Sequence, residues 1–130
     1  MQIIELSMDK IEHIFVEVHG GLKIHVAAVG TGDQFLRPYG NLLVLLFSVL
    51  MFFLSGSNVV VFLHGFPEIW YSWRHQMIAV ANAGFRAIAL DYRGYGLSDS
   101  PAEPSKTTYN DLITDLLQIL DNLNIPKVLF

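Results

Sequence analysis

Between Ile14 and Ala28 the chain alternates apolar and other positions. Ile14, Val16 and Val18 are interleaved with His13, Phe15, Glu17 and His19, and Leu22, Ile24, Val26 and Ala28 with Lys23, His25 and Ala27. Successive side chains of a strand point to opposite faces, so two such runs joined by Gly20-Gly21 predict an antiparallel hairpin with one buried face. Val59–Leu63 has a different character: five consecutive apolar residues, suited to a parallel strand covered on both sides. Ile69, Trp73, Met77, Val80 and Ala81 recur at helical spacing and predict a helix over Ile69–Ala83, with Gly84 placed to cap it. Phe85–Leu90 reads as a second buried strand, followed by a loop from Asp91 to about Ser105. Tyr109, Leu112, Ile113, Leu116, Leu117, Leu120 and Leu123 form one stripe of a second helix, with Thr108 as N-cap and Asp111 in the favourable first turn. After Pro126, Lys127–Phe130 reads as the opening of another strand. The order hairpin, strand, helix, strand, helix, strand predicts the α/β class, its later strands parallel and joined by right-handed crossovers.

One stretch fits none of this. Residues Leu42 to Leu54 are apolar at twelve of thirteen positions, Ser48 being the exception. As a helix the run would reach roughly 20 Å, against a hydrocarbon core of roughly 30 Å, so it is too short to span comfortably alone. Three readings stand side by side: residues 33–58 as an insert foreign to the parent fold, a membrane-associating helix at Leu42–Leu54, or an ordinary core helix surrounded by protein. Each makes the chain poorly soluble.

Composition narrows the functional classes. The 130 residues suffice for one domain or part of one. At 52% hydrophobic and 15% charged the chain is more apolar than a soluble domain usually needs, a bias to which the segment above contributes. A formal charge of -4 without a Lys/Arg cluster argues against nucleic acid as a partner. With no cysteine, disulfides and thiolate metal sites are excluded, which fits a reducing compartment. Met1–Lys10 lacks the basic start and apolar core of an export signal. The expected location is therefore cytoplasmic, with membrane association through Leu42–Leu54 as the alternative.

Two loops carry candidate chemistry. His64-Gly65-Phe66-Pro67-Glu68 lies between a buried strand and a helix, where an open α/β sheet places its binding crevice. Gly65 permits close backbone approach, and the Phe66 N–H after it can face charge developing on a substrate oxygen, as one half of an oxyanion hole. Pro67 fixes its own φ and restricts Phe66, and the Phe66-Pro67 bond is a candidate for the cis form. Asp91-Tyr92-Arg93-Gly94-Tyr95-Gly96-Leu97-Ser98-Asp99 follows the next strand on the same edge of the sheet. Asp91 and Arg93, flanked by Gly94 and Gly96, are read as bracing the loop beside His64-Gly65 through charge-assisted hydrogen bonds. Trp70 is a candidate pocket wall beside Phe66, although aromatics at helical spacing commonly pack in cores. Ser98 lies in a loop, and Gly96-Leu97-Ser98-Asp99-Ser100 lacks the final glycine of a nucleophile elbow. His13, His19, His25 and His75 read as surface or packing residues.

Taken together, His-Gly-Phe-Pro-Glu continued by Trp70-Tyr71-Ser72-Trp73-Arg74-His75-Gln76, and Asp-x-Arg-Gly-x-Gly-x-Ser 27 residues after His64, resemble plant-type soluble epoxide hydrolases of the α/β-hydrolase superfamily. Met8–His13 is similar to that family's usual start, so residues 8–130 read as the amino-terminal part of the hydrolase domain and residues 1–7 as an extension. The resemblance implies hydrolysis of small lipophilic epoxides to diols through an aspartyl ester, without metal or organic cofactor. It also implies that the His64 ring organises its loop. The family's elbow aspartate, cap tyrosines, acid and histidine have no counterpart in these residues. The expectation is thus a partial α/β-hydrolase fold, truncated before the nucleophile elbow, with no catalytic residue of its own and no turnover. An esterase or haloalkane dehalogenase on the same fold, and a non-catalytic membrane-associated polypeptide, are the alternatives.

Overall fold

A computed structural model describes residues 7–32 and 58–128. Its strands are β1 (Glu12–Val18), β2 (Leu22–Val29), β3 (Val59–Leu63) and β4 (Arg86–Leu90). They form one mixed sheet in the order β1-β2-β4-β3. The hairpin pairs Glu12 with Ala28 through Val18 with Leu22, and positive φ at Gly20 and Gly21 makes its turn. β2 pairs antiparallel with β4, Val26 opposite Leu90, while β3 and β4 run parallel, Val59 opposite Arg86 and Leu63 opposite Leu90. The parallel pairing expected of the later strands therefore holds for β3 and β4, and the hairpin joins them antiparallel.

Helices cover both faces. One face buries Val16, Val18, Ile24, Val26, Val61, Ile88 and Leu90 against Ile119 and Leu120 of α2 (Tyr109–Asn122). The other packs Ala27, Val29, Ala87 and Ala89 against Trp70 and against Met77 and Ala81 of α1 (Arg74–Asn82). The alanines keep this second layer thin and bring α1 close to the sheet. Burying a side chain the size of Ile119 or Met77 contributes about 1.5–3 kcal/mol. This two-sided cover corrects the expectation of a hairpin with one buried face. β1, at the edge, does expose Glu12, His13, Phe15 and Glu17, but β2 lies between two strands and is buried from Ile24 through Val29.

The helix expected over Ile69–Ala83 begins as a 3-10 turn at Trp70–Trp73 and becomes α-helical at Arg74. Gly84, at φ 94°, ends it: the Gly84 N–H donates to Ala81 and the Phe85 N–H to Val80, satisfying carbonyls that the last turn leaves free. α2 starts with a reciprocal capping box between Thr108 and Asp111. Its apolar stripe is a correction. Tyr109, Ile113 and Leu117 are exposed, and the face toward the sheet instead centres on Asp115, Ile119 and Leu120. The stripe was too wide for one contact surface, and the sheet takes only one side of it. No strand runs through Lys127–Val128, and residues 129–130 lie outside the described residues.

Leu42–Leu54 also lies outside the described residues, and among the described ones no helix is long and apolar enough to cross a membrane. The residues on either side of 33–57 are in contact, the Asn58 side-chain amide donating to the Gly32 carbonyl at 2.7 Å. β2 and β3 are therefore near enough to be joined directly. Replacing residues 33–57 by a short Gly/Ser link is expected to preserve the sheet and to relieve roughly 1.5 kcal/mol of loop-closure entropy. Thermal unfolding checks this: a cooperative transition at unchanged or higher temperature, with improved solubility, is the expected outcome, and loss of cooperative unfolding contradicts it.

Candidate functional site

The loops after β3 and β4 meet at the same edge of the sheet. Residues 65–68 form a turn with a cis Phe66-Pro67 bond, closed by the Glu68 N–H donating to the Gly65 carbonyl at 2.9 Å. Phe66 is 84% exposed, and its backbone N–H has no hydrogen-bond partner among the described residues. Beneath it His64 is buried. Its Nε2 accepts from the Tyr92 N–H at 3.1 Å, which leaves the proton on Nδ1, 3.0 Å from the Gly65 carbonyl. The ring also packs against Tyr92 and Tyr95, at centroid distances of 4.4 and 5.2 Å. One imidazole thus ties the first loop to the second.

Asp91 is fully buried and serves as the anchor of both loops. Its Oδ1 accepts from the Trp70 N–H at 2.8 Å, and its Oδ2 from the Leu97 N–H at 3.1 Å and from His25 Nδ1 at 2.9 Å. Burial alone would push this carboxyl upward. The hydrogen bonds from His25, Trp70 and Leu97 outweigh it and hold the group below the ordinary carboxylate range. Gly96, at φ 51°, has no room for a side chain, since a Cβ there would overlap the Asp91 carboxylate. Ser98 ties the loop to β2 and β4: its hydroxyl donates to the Asp91 carbonyl at 2.7 Å and accepts from the His25 N–H at 2.8 Å. Gly94, at φ 82°, donates its N–H to the Asp99 carbonyl.

Arg93 reaches away from this anchor. Its Nε and Nη2 donate to the two carboxylate oxygens of Asp115 on α2, each at 2.7 Å, a bidentate pair that fastens the second loop to the helix. The Asp115 carboxylate raises the guanidinium further above its already high range. A cavity of about 740 Å³ opens between the loops and α2, lined by Leu63, Phe66, Tyr92, Tyr95, Leu112 and Ile113 among others. Burial pushes the Tyr92 phenol upward. Trp70, expected as a wall beside Phe66, is not among the lining residues; it is 8% exposed and packs in the second core layer, edge-on to His13 and His25.

The structure therefore brings His64, Gly65, Phe66, Arg93 and Gly94 to one cavity and sets Asp91 and Gly96 beneath its rim. His25 and Asp115 were missed as partners. His25 between Ile24 and Val26, and Asp115 ahead of Leu116 and Leu117, are polar residues beside apolar ones, which was the available signal for both.

Residues 58–130 match the pattern of the α/β-hydrolase fold family. The chain belongs to that family. Among curated proteins, this α/β-hydrolase chain is 44% identical over 121 residues to epoxide hydrolase 3 of Siraitia grosvenorii, covering 93% of the chain and 30% of the relative. It is 32% identical to bifunctional epoxide hydrolase 2 of Mus musculus, covering 92% and 17%. Among solved structures it superposes on an epoxide hydrolase from Vigna radiata with a TM-score of 0.70 at 39% identity, covering 94% of the chain and 31% of that enzyme. A potato epoxide hydrolase gives 0.62 at 36%, covering 86% and 28%. The chain thus spans about 30% of the length of the plant enzymes it matches.

The Arg93–Asp115 pair generates a stability test. With Asp115 buried and Arg93 nearly so, removing one partner strands a charge, so Asp115→Asn is expected to cost about 3–5 kcal/mol. The double variant Arg93→Met/Asp115→Leu is expected to recover most of that loss. Denaturant unfolding of the two variants decides it, and additive losses in the double variant contradict the reading.

Proposed function

We propose that the chain forms the oxyanion side of an epoxide hydrolase site. In this reading an aspartate carboxylate opens a small lipophilic epoxide, the carbon–oxygen bond breaks as the ring oxygen takes a proton, and water then hydrolyses the ester to a diol. The second step places negative charge on the ester oxygen, and the Phe66 N–H is assigned as a donor to it. The nucleophile, the proton donors and the group that activates water are assigned to no residue of this chain. His64, Gly65 and Pro67 hold the amide in place, while Asp91, Arg93, Gly94 and Gly96 brace the loop opposite. No metal or organic cofactor has a step in this scheme.

One observation carries the reading: a backbone N–H without a partner among the described residues, on a turn locked from below by His64, borders a cavity with a largely apolar lining that suits an uncharged, lipophilic substrate. Similarity to epoxide hydrolases along most of the chain supports the reaction class. The lack of cysteine supports a cytoplasmic setting.

Purified alone, the chain is expected to form no diol from an aromatic epoxide. Grafted in place of the matching stretch of the Siraitia grosvenorii enzyme, residues 58–128 are expected to sustain diol formation. Within that graft Phe66→Pro, which deletes the N–H, is expected to lower kcat about 100- to 1000-fold, whereas Phe66→Leu, which keeps it, leaves kcat within a few-fold. Turnover by the homogeneous isolated chain, or an undiminished kcat in Phe66→Pro, would overturn the assignment.

A further inference from the structure

The two edges of the sheet are built differently. At one edge β1 exposes Glu12, His13 and Glu17 around Phe15, and charged side chains of this kind keep an edge strand from taking up another chain. At the other edge β3 carries no charged or polar side chain along Val59–Leu63. Val60, Phe62 and Leu63 are only half-buried there, although each is apolar. A strand of this composition normally lies inside a sheet, covered on both faces.

The layers above and below the sheet repeat the contrast. α2 turns a polar flank toward the hairpin, where Gln118 Oε1 accepts from the His19 N–H. Its other flank is apolar: Leu112, Ile113 and Leu116 line the cavity together with Leu63, the last residue of β3. On that flank Tyr109 is 86% exposed and Ile113 56%. Single exposed apolar residues are ordinary, but a run that continues from the sheet edge across a cavity to a helix marks a surface built to be covered. On the opposite face Trp73 packs against Phe62 of β3, ring centroids 5.3 Å apart. Its indole N–H is buried without a hydrogen-bond partner among the described residues, a cost that native structures rarely leave uncompensated. Edge, helix flank and orphan donor all adjoin β3.

We propose that the β3 side of the chain is an interaction surface for a second polypeptide, equivalent to the part of an epoxide hydrolase that lies outside the region matched by this chain. Two observations select this occupant. The chain superposes over 94% of its own length but only 31% of the Vigna radiata enzyme, so in that enzyme the same framework stands beside a larger body of polypeptide. The surface also runs into the cavity of the candidate site, so whatever covers it reaches the place where the nucleophile is needed. This second point rests on the function proposed above; the first does not. A second copy of this chain fits less well, because both copies carry a formal charge of -4 and neither brings the groups that the site lacks.

The test co-expresses the full chain with a tagged polypeptide comprising the part of the Siraitia grosvenorii enzyme outside the match, from a separate reading frame. The tagged polypeptide is expected to be recovered in soluble form with the chain as a one-to-one complex. Ile113→Lys, which sets a charge on the apolar flank, is expected to lower the recovered complex about tenfold or more while leaving the chain's own thermal unfolding unchanged, since the residue is exposed. Phe15→Lys, similarly exposed on β1 at the other edge, is expected to leave recovery unchanged. Failure to recover a complex, equal losses in the two variants, or a chain that pairs only with itself would each overturn the proposal. The two readings fail separately: a one-to-one complex that forms no diol upholds the surface and defeats the oxyanion assignment, whereas diol formation by the covalent graft without a complex between separate chains does the reverse.

Discussion

A buried carboxylate that accepts three hydrogen bonds from three separate segments imposes its geometry on whatever it holds. Asp91 is such a group. It ends β4, and its two oxygens collect the first amide of the 3-10 turn before α1, the Leu97 amide of the following loop, and a ring nitrogen of β2. Stranding any of these donors in the interior would cost about 1–3 kcal/mol each, so the three segments stay where the carboxylate puts them. Gly96 is confined to glycine by that carboxylate, Ser98 turns back onto its main chain, and the Asp91 N–H donates to the His25 carbonyl. The loop that borders the cavity is thus built outward from one side chain.

Two further ties complete the frame. The His64 ring, fixed in one tautomer by the Tyr92 amide, spans the two loops from below. The Arg93–Asp115 pair joins the second loop to α2, whose Leu112 and Ile113 form the far wall of the cavity. Among the described residues the Phe66 N–H has no partner, and the turn that carries it is held by the Glu68–Gly65 bond and the His64 ring. Pre-organisation of this sort matters for chemistry because a donor that need not move when charge appears costs no reorganisation at the reacting moment.

Much of this frame was legible in the residues. The Thr108–Asp111 capping box, the Gly84 terminus and the cis bond before Pro67 all depend on local chemistry that a short window contains, and the parallel pairing of β3 with β4 follows from the order strand, helix, strand. The partners that escaped notice depend on contacts between segments distant in sequence. His25 stands in an alternating hairpin and reads as a surface or packing residue, and only the contacts of β4 and the 3-10 turn show that it is closed over. Asp115 interrupts an apolar helix face and found its cation 22 residues away. On the same helix, periodicity marked Tyr109, Ile113 and Leu117 as core, yet a repeat of apolar positions reports which residues share a side and not whether anything covers it.

Native-state hydrogen exchange tests the anchoring role of Asp91 most directly. In the wild-type chain the Trp70 and Leu97 amides, which belong to no regular α-helix or strand ladder, are expected to be protected to the level of the β4 core, and Asp91→Asn is expected to accelerate exchange of at least one of them by about 100-fold or more while β4 stays protected. Rapid exchange at both amides in the wild-type chain, or unchanged protection in Asp91→Asn, would contradict the account.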